Sequence, residues 1–165
     1  MAAQSPKLKL VEVSTPDIEE FEPLLITTSE QLDQYWPQMA YWLEPCVEKA
    51  MHGEMKLEDI YNAVKAGWMA AIIAKCDTYG SHDVAFVLIL EGKPYPQLHC
   101  INVVAIGGHQ MDLLKSKFWK HVCSWAFMSG ASNLEASVSP AVARIIKRYG
   151  FTPVYTTMRL DLTEM

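Results

Sequence analysis

The chain has 165 residues, half of them apolar, with 19 acidic and 14 basic side chains for a net charge of −5. That length supports one sizeable core, and the negative balance without a basic stripe of interleaved aromatics argues against a nucleic-acid binder. No apolar run of transmembrane length occurs, and "MAAQSPKLKL" lacks the apolar stretch of a secretory signal, so the expectation is a cytoplasmic protein with no membrane segment.

Residues 1–22 read as an arm. They hold one short alternating piece, Leu8 to Val13, and then the acidic cluster Asp17, Glu19, Glu20 and Glu22. Such a segment has little apolar surface to offset its ordering entropy, which assigns it to a protein partner or to self-association rather than to the core. Residues 23–165 form the expected domain. "PLLITT" (23–28) predicts a first strand and Ser29 a helix cap. Pro37 and Pro45 break the following helical stretch, 29–52, into two pieces. Leu57, Ile60, Tyr61 and Val64 share one face of a further helix over 56–66, stopped by Gly67.

From there the period changes. "WMAAIIAKC" (68–76) and "VAFVLILEG" (84–92) are strand-length apolar runs joined by turn residues, which predicts an antiparallel hairpin. "QLHCINVVAI" (97–106) is a third run, ending at Gly107 and Gly108. Met111, Leu114, Phe118, Val122 and Trp125 then recur at helical spacing over 110–128. "NLEASV" (133–138) reads as a short strand, Ser139-Pro140 as a helix start, Gly150 as its stop, and "FTPVYTTMRLDL" (151–162) as a closing strand or broken pair. The order β-α-α-β-β-β-α-β-α-β predicts an α/β fold with a mixed central sheet flanked by helices.

Four cysteines, 46, 76, 100 and 123, lie far apart with apolar neighbours and no Cys-x-x-Cys pair, and the five histidines show no ligand spacing. Buried thiols are expected, with no metal. Charge is uneven: residues 1–60 hold twelve acidic and four basic side chains, and residues 61–165 hold seven and ten. Lys115, Lys117 and Lys120 follow the glycine pair, and Arg144, Lys147 and Arg148 form a second basic group. These read as a phosphate-bearing ligand's surroundings or as solvated helix faces.

Element order and one local motif converge on a resemblance. "SPAVARIIKRYGF" (139–151) resembles the GNAT family of N-acetyltransferases, which typically carries there an asparagine, an alanine three residues on, a leucine-tyrosine pair, and Gly-Phe. Ser139, Val142, Ile145, Ile146, Gly150 and Phe151 occupy those positions. The resemblance spans residues 23–162, chiefly through element order. It implies a mixed sheet that splays between its fourth and fifth strands, with acetyl-CoA in the splay and its pyrophosphate on backbone N–H groups at the next helix start. Carried onto this chain, the cofactor-binding candidates are Val103, Val104, Gly107, Gly108, His109, Gln110 and Ser139. The family's glycine spacing is not kept: only the adjacent pair remains, so the loop reads either as a phosphate cradle or as a tight strand-to-helix turn.

No catalytic residue is assigned. The family's usual thiolate acid is the tyrosine of the leucine-tyrosine pair, and Ile146 stands in its place. Tyr149 and Tyr155 are the nearest phenols. Glu135 and His99 are candidate general bases, and Asn102 is a candidate partner for an amide-bearing chain. The helix-kink-helix followed by "LEDIYNAVKAG" and a hairpin is similar to phage-encoded acetyltransferase-like proteins, some of them internal virion proteins of short-tailed phages. That implies host cytoplasm or the virion as its location. The expectation is an acetyltransferase-fold protein with a degraded acetyl-CoA site and a binding or virion-associated role, the alternative being an active N-acetyltransferase acting on an amine of a small molecule or protein.

Overall fold

The computed structural model describes residues 22–76, 83–108 and 117–165. Strand β1 is Glu22–Leu25, and Thr28 caps helix α1, Ser29–Pro45, by accepting a hydrogen bond from the Gln31 amide at 3.1 Å. The expected cap was Ser29. Thr28 takes the role because it is the residue with extended backbone angles, while Ser29 is already helical. Pro37 sits within α1, and after Pro45 the helix widens into a π-turn, Cys46–Ala50, where a proline has removed a donor from the ladder. Helix α2, Leu57–Ala66, ends at Gly67, whose φ of 83° is the left-handed stop that a glycine adopts without strain.

Strands β2 (Ala70–Cys76), β3 (Asp83–Tyr95) and β4 (Leu98–Gly108) follow as an antiparallel meander, β4 turning on Pro96-Gln97. Helix α3, Lys117–Met128, crosses back so that β5, Asn133–Ala136, pairs parallel with β4. The five strands lie in chain order, β1-β2-β3-β4-β5, which makes the mixed sheet. Helix α4, Pro140–Ile146, is capped by the Ser139 hydroxyl and runs into a short 3-10 turn ended by Gly150. The α/β mixed-sheet architecture is therefore as expected.

Alternation along the strands builds a core on each face. Leu32, Tyr35, Met39 and Leu43 of α1, with Ile60 and Val64 of α2, pack on Ala71, Ile73, Val87, Ile89 and Ala105. Phe118, Val122 and Ala126 of α3 pack on Ile72, Phe86, Leu88, Leu90 and Ile101 from the other side. No helix among the described residues is long and apolar enough to cross a membrane.

Residues 151–162 differ from expectation. Phe151 packs against Trp119 and residues 152–162 are exposed, yet the segment belongs to no strand and makes no backbone–backbone hydrogen bond with other described residues. Their alternation satisfies a strand pattern, but no neighbouring strand among the described residues receives it. The arm lies outside the described residues except for Glu22, which begins β1.

Candidate functional site

Two irregularities mark β4. The β3–β4 register passes from Ile89↔Ala105 to Leu90↔Val103, so Val104 is an extra residue, a bulge whose backbone groups fall outside the β3 ladder. On the other side, β5 pairs β4 only from Cys100↔Asn133 to Val103↔Ala136, and β4 then continues to Gly108 without it. The pairing with β5 stops beside the bulge. Bulges commonly re-aim groups beside active sites, and the β4 edge beyond Val103, unpaired among the described residues, offers N–H and C=O groups to an extended ligand.

A row of polar side chains crosses the sheet beside this edge. Glu91 of β3 pairs with Asn102 of β4, which pairs with Glu135 of β5. Counting by two from Ile89 puts the row on the face that carries α1 and α2. Asn102 is only 8 % exposed; its Nδ2 donates to Glu91 Oε1 at 3.2 Å, while its Oδ1 finds no donor among the described residues. A buried amide oxygen left without a partner is costly, and such an atom marks where a ligand's N–H would be accepted.

Tyr95, at the end of β3, donates its hydroxyl to Glu135 Oε1 at 2.8 Å and lies 3.2 Å from the Tyr155 hydroxyl. The hydrogen bond with Tyr155, and then that with Glu135, pushes the Tyr95 phenol well above its ordinary range. Tyr95 thus keeps its proton and fixes the Glu135 carboxylate. Cys100 shares this face. Burial first, and then the Glu135 charge, raises its thiol, which leaves it protonated at neutral pH.

The glycine pair falls inside β4, paired with Val87 and Phe86, and neither glycine has a positive φ. It is not a turn. A Cβ on Gly107 would lie 2.6 Å from the Trp42 carbonyl carbon and closer still to its oxygen. One on Gly108 would lie 2.6 Å from Phe86 Cε1 and 2.7 Å from the Ala85 carbonyl oxygen. Both positions require glycine because α1 and the Phe86 ring press against the strand. His109 and Gln110 lie outside the described residues, as do Lys115 and the first part, 110–116, of the helix expected over 110–128.

Val103 and Val104 stand where the β5 pairing stops, and Ser139 is engaged as the cap of α4, accepting from the Val142 amide at 3.3 Å. His99 is not brought to the polar row. Its Nδ1 lies 2.8 Å from the Gly130 carbonyl oxygen, and alternation from Ile101 puts it on the opposite face, where it ties β4 to the turn after α3. Tyr149 packs against Trp119, with ring centroids 5.8 Å apart. Ile146 is half-buried and carries no proton to give. Sequence reasoning missed Glu91 and Tyr95. Glu91 was visible as the one carboxylate closing the run "VAFVLILEG", but its meaning depends on the register that aligns it with Asn102 and Glu135. Among the described residues no group of His, Cys, Asp and Glu is arranged to hold a metal.

No family model matches the sequence, and no curated protein matches it either. Solved structures do. A probable acetyltransferase superposes with a TM-score of 0.65 at 12 % identity, over 86 % of this chain and 97 % of that one. The ribosomal-protein-alanine N-acetyltransferase of Brucella melitensis biovar Abortus 2308 gives 0.62 at 11 % identity, over 86 % and 99 %. A predicted acetyltransferase from Clostridium acetobutylicum, determined with acetyl-CoA, gives 0.57 at 9 % identity, over 88 % and 98 %. At these identities the likeness concerns the backbone: the chain has the fold of the GNAT acetyltransferases.

Proposed function

We propose that the chain binds an acyl-coenzyme A, acetyl-CoA being the simplest, along the β4 edge beyond its pairing with β5, and transfers the acyl group to an amine on the face that carries Glu91, Asn102 and Glu135. The polar row beside that edge carries this reading. The residues fit an amide-bearing cofactor arm: the unpaired β4 edge from Val104 onward offers backbone partners, and the orphaned Asn102 Oδ1 accepts an N–H. Bound there, the thioester supplies an activated acyl carbon. Gly107 and Gly108 are committed to packing, so phosphate contacts are assigned to the chain that follows β4 and its basic side chains.

Glu135, steadied by the Tyr95 hydroxyl, is the group that takes a proton from the bound ammonium, freeing the neutral amine that attacks the thioester carbonyl. Backbone groups at the Val104 bulge supply donors for a developing oxyanion. Tyr155, hydrogen-bonded to Tyr95 rather than packed away like Tyr149, is the phenol that reaches this site in place of the absent residue at Ile146. The test is release of free thiol from acetyl-CoA with polyamines, aminoglycosides and peptide amines. Glu135→Gln is expected to lower the rate about 100-fold or more, the usual scale of a general base. An unchanged rate would overturn the assignment.

Ile146 favours a second reading, in which the fold is kept for binding alone, as in a virion-associated protein. Cofactor binding without thiol release from any amine would select it. In either case residues 1–22 are proposed as the element that meets a protein partner.

A further inference from the structure

Helices α1 and α2 leave between them a cavity of about 410 Å³, walled by Asp33, Trp36 and Pro37 of the first helix and Leu57, Glu58 and Tyr61 of the second. Asp33, Trp36 and Pro37 share one stripe of α1, beside the Leu32, Tyr35 and Met39 face that meets the sheet. The described walls are all helical, so the cavity lies apart from the polar row of β3, β4 and β5. Trp36, Leu57 and Tyr61 are half-buried and pack against the core, whereas Asp33, Pro37 and Glu58 are exposed. An apolar and aromatic floor thus lies under a rim whose charged groups are two carboxylates.

These groups select a cation. Trp36 and Tyr61 meet edge to face with ring centroids 5.2 Å apart, and the Lys65 ammonium already stands 5.6 Å from the Tyr61 centroid, so this ring takes a cation within the structure itself. The Tyr61 hydroxyl donates to Asp33 Oδ1 and holds that carboxylate at the crease. Glu58 has no hydrogen-bond or salt-bridge partner among the described residues. Pro37 has no N–H, so the Asp33 carbonyl lacks the donor that an ordinary residue 37 would give it in the helical ladder. The two helices extend the same sign, with Glu30, Asp33, Glu44, Glu58 and Asp59 against Lys65. We propose that this crease binds a small primary alkylammonium, its three N–H donors directed to the Asp33 and Glu58 carboxylates and the Asp33 carbonyl, and its alkyl stem laid on Trp36, Leu57 and Tyr61. The volume stands at the small end of ligand pockets, which run from about 300 to 1,000 Å³, and suits a free amine of a few carbons. The site stands independently of the acyl-transfer reading.

Hexylamine, protonated at neutral pH, is the probe, followed through the Trp36 indole N–H signal in proton–nitrogen NMR spectra of the full chain; loss of the signal in Trp36→Phe assigns it. The signal is expected to shift saturably, with a Kd on the order of 1 mM. Hexanol, the same stem without the charge, should bind at least about tenfold more weakly. Asp33→Asn and Glu58→Gln, both at exposed positions, should each weaken hexylamine at least about fivefold by removing a charged acceptor. Glu135→Gln should leave the Trp36 titration unchanged, which separates this site from an amine held for acyl transfer. Nα-acetyl-lysine methylamide, the same ammonium carried on a peptide, should bind no tighter than hexylamine. A Trp36 signal unmoved by about 20 mM hexylamine, equal affinity for hexanol, indifference to both charge variants, loss of the shift in Glu135→Gln, or tighter binding of the lysine amide would each overturn the proposal.

Discussion

Gly107→Ala should unfold the protein at a markedly lower temperature. The added methyl would sit 2.6 Å from the Trp42 carbonyl carbon, where an ordinary contact is about 3.4 Å or more, so α1 must retreat by about 1 Å. It cannot do so freely. Trp42 Nε1 donates to the Val84 carbonyl at 2.7 Å, and Gln38 Oε1 accepts from the Val84 amide at 2.6 Å, which ties the helix to β3. Overpacking a core usually costs about 1–3 kcal/mol, and a clash with tethered backbone belongs at about 3. Replacing a glycine returns about 0.5 kcal/mol through the unfolded chain, leaving a net loss near ~2.5 kcal/mol. At about 2–4 °C per kcal/mol for a chain of this size, the midpoint should fall by about 5–10 °C. Thermal and urea unfolding followed by circular dichroism measure it. Gly92→Ala is the internal control: nothing lies within 4 Å of its added methyl, so only the unfolded-state gain remains and its midpoint should rise slightly. Equal midpoints for Gly107→Ala and wild type would refute the packing account and return the glycine pair to a ligand role.

Ser139→Ala should cost about 1 kcal/mol by removing the α4 cap, measured by urea denaturation with the wild-type slope retained. Tyr95→Phe should lower any acetyl transfer about tenfold while sparing cofactor affinity, because it frees the Glu135 carboxylate without touching the β4 edge; steady-state kinetics beside calorimetry separate the two. The Cys100 thiol, raised by burial and then by Glu135, binds its proton more tightly folded than unfolded. Its contribution to stability is thus complete below the ordinary thiol range near ~8.5 and is lost as pH rises through the folded value, a loss that Cys100→Ser should reduce in alkaline unfolding curves. Deleting residues 1–21 should leave the domain folded, since their acidic, apolar-poor composition offers little to a core, while abolishing capture of a partner that the full chain binds in a pull-down.

The strands were legible where the sequence settles their burial. "AIIA" (71–74) and "VAFVLIL" (84–90) are buried on both faces, and such apolar runs announce a central strand whatever its neighbours. The α2 stop at Gly67 and the α4 start at Ser139-Pro140 were legible because a cap is a local event, decided by one hydroxyl or one left-handed residue. Segment 151–162 was not, because alternation tells which residues share a side but not whether a neighbouring strand exists. The glycine pair misled for a related reason. Gly107 is demanded by a helix 65 positions earlier in the chain, and a glycine required by packing is written with the same letter as one required by a turn. Of the site, Asn102 and Glu135 stood out as polar residues within strands, whereas Glu91 and Tyr95 acquire meaning only through the β3–β4–β5 register, a relation between segments that no single segment carries.

Calorimetric titration of the full chain with acetyl-CoA bears most directly on the proposed site. The account predicts one binding event per chain, weakened at least about tenfold by Asn102→Leu, which removes the buried acceptor while keeping the side-chain volume. Absence of binding heat at about 1 mM acetyl-CoA across several temperatures, or binding that Asn102→Leu leaves unaltered, would contradict it.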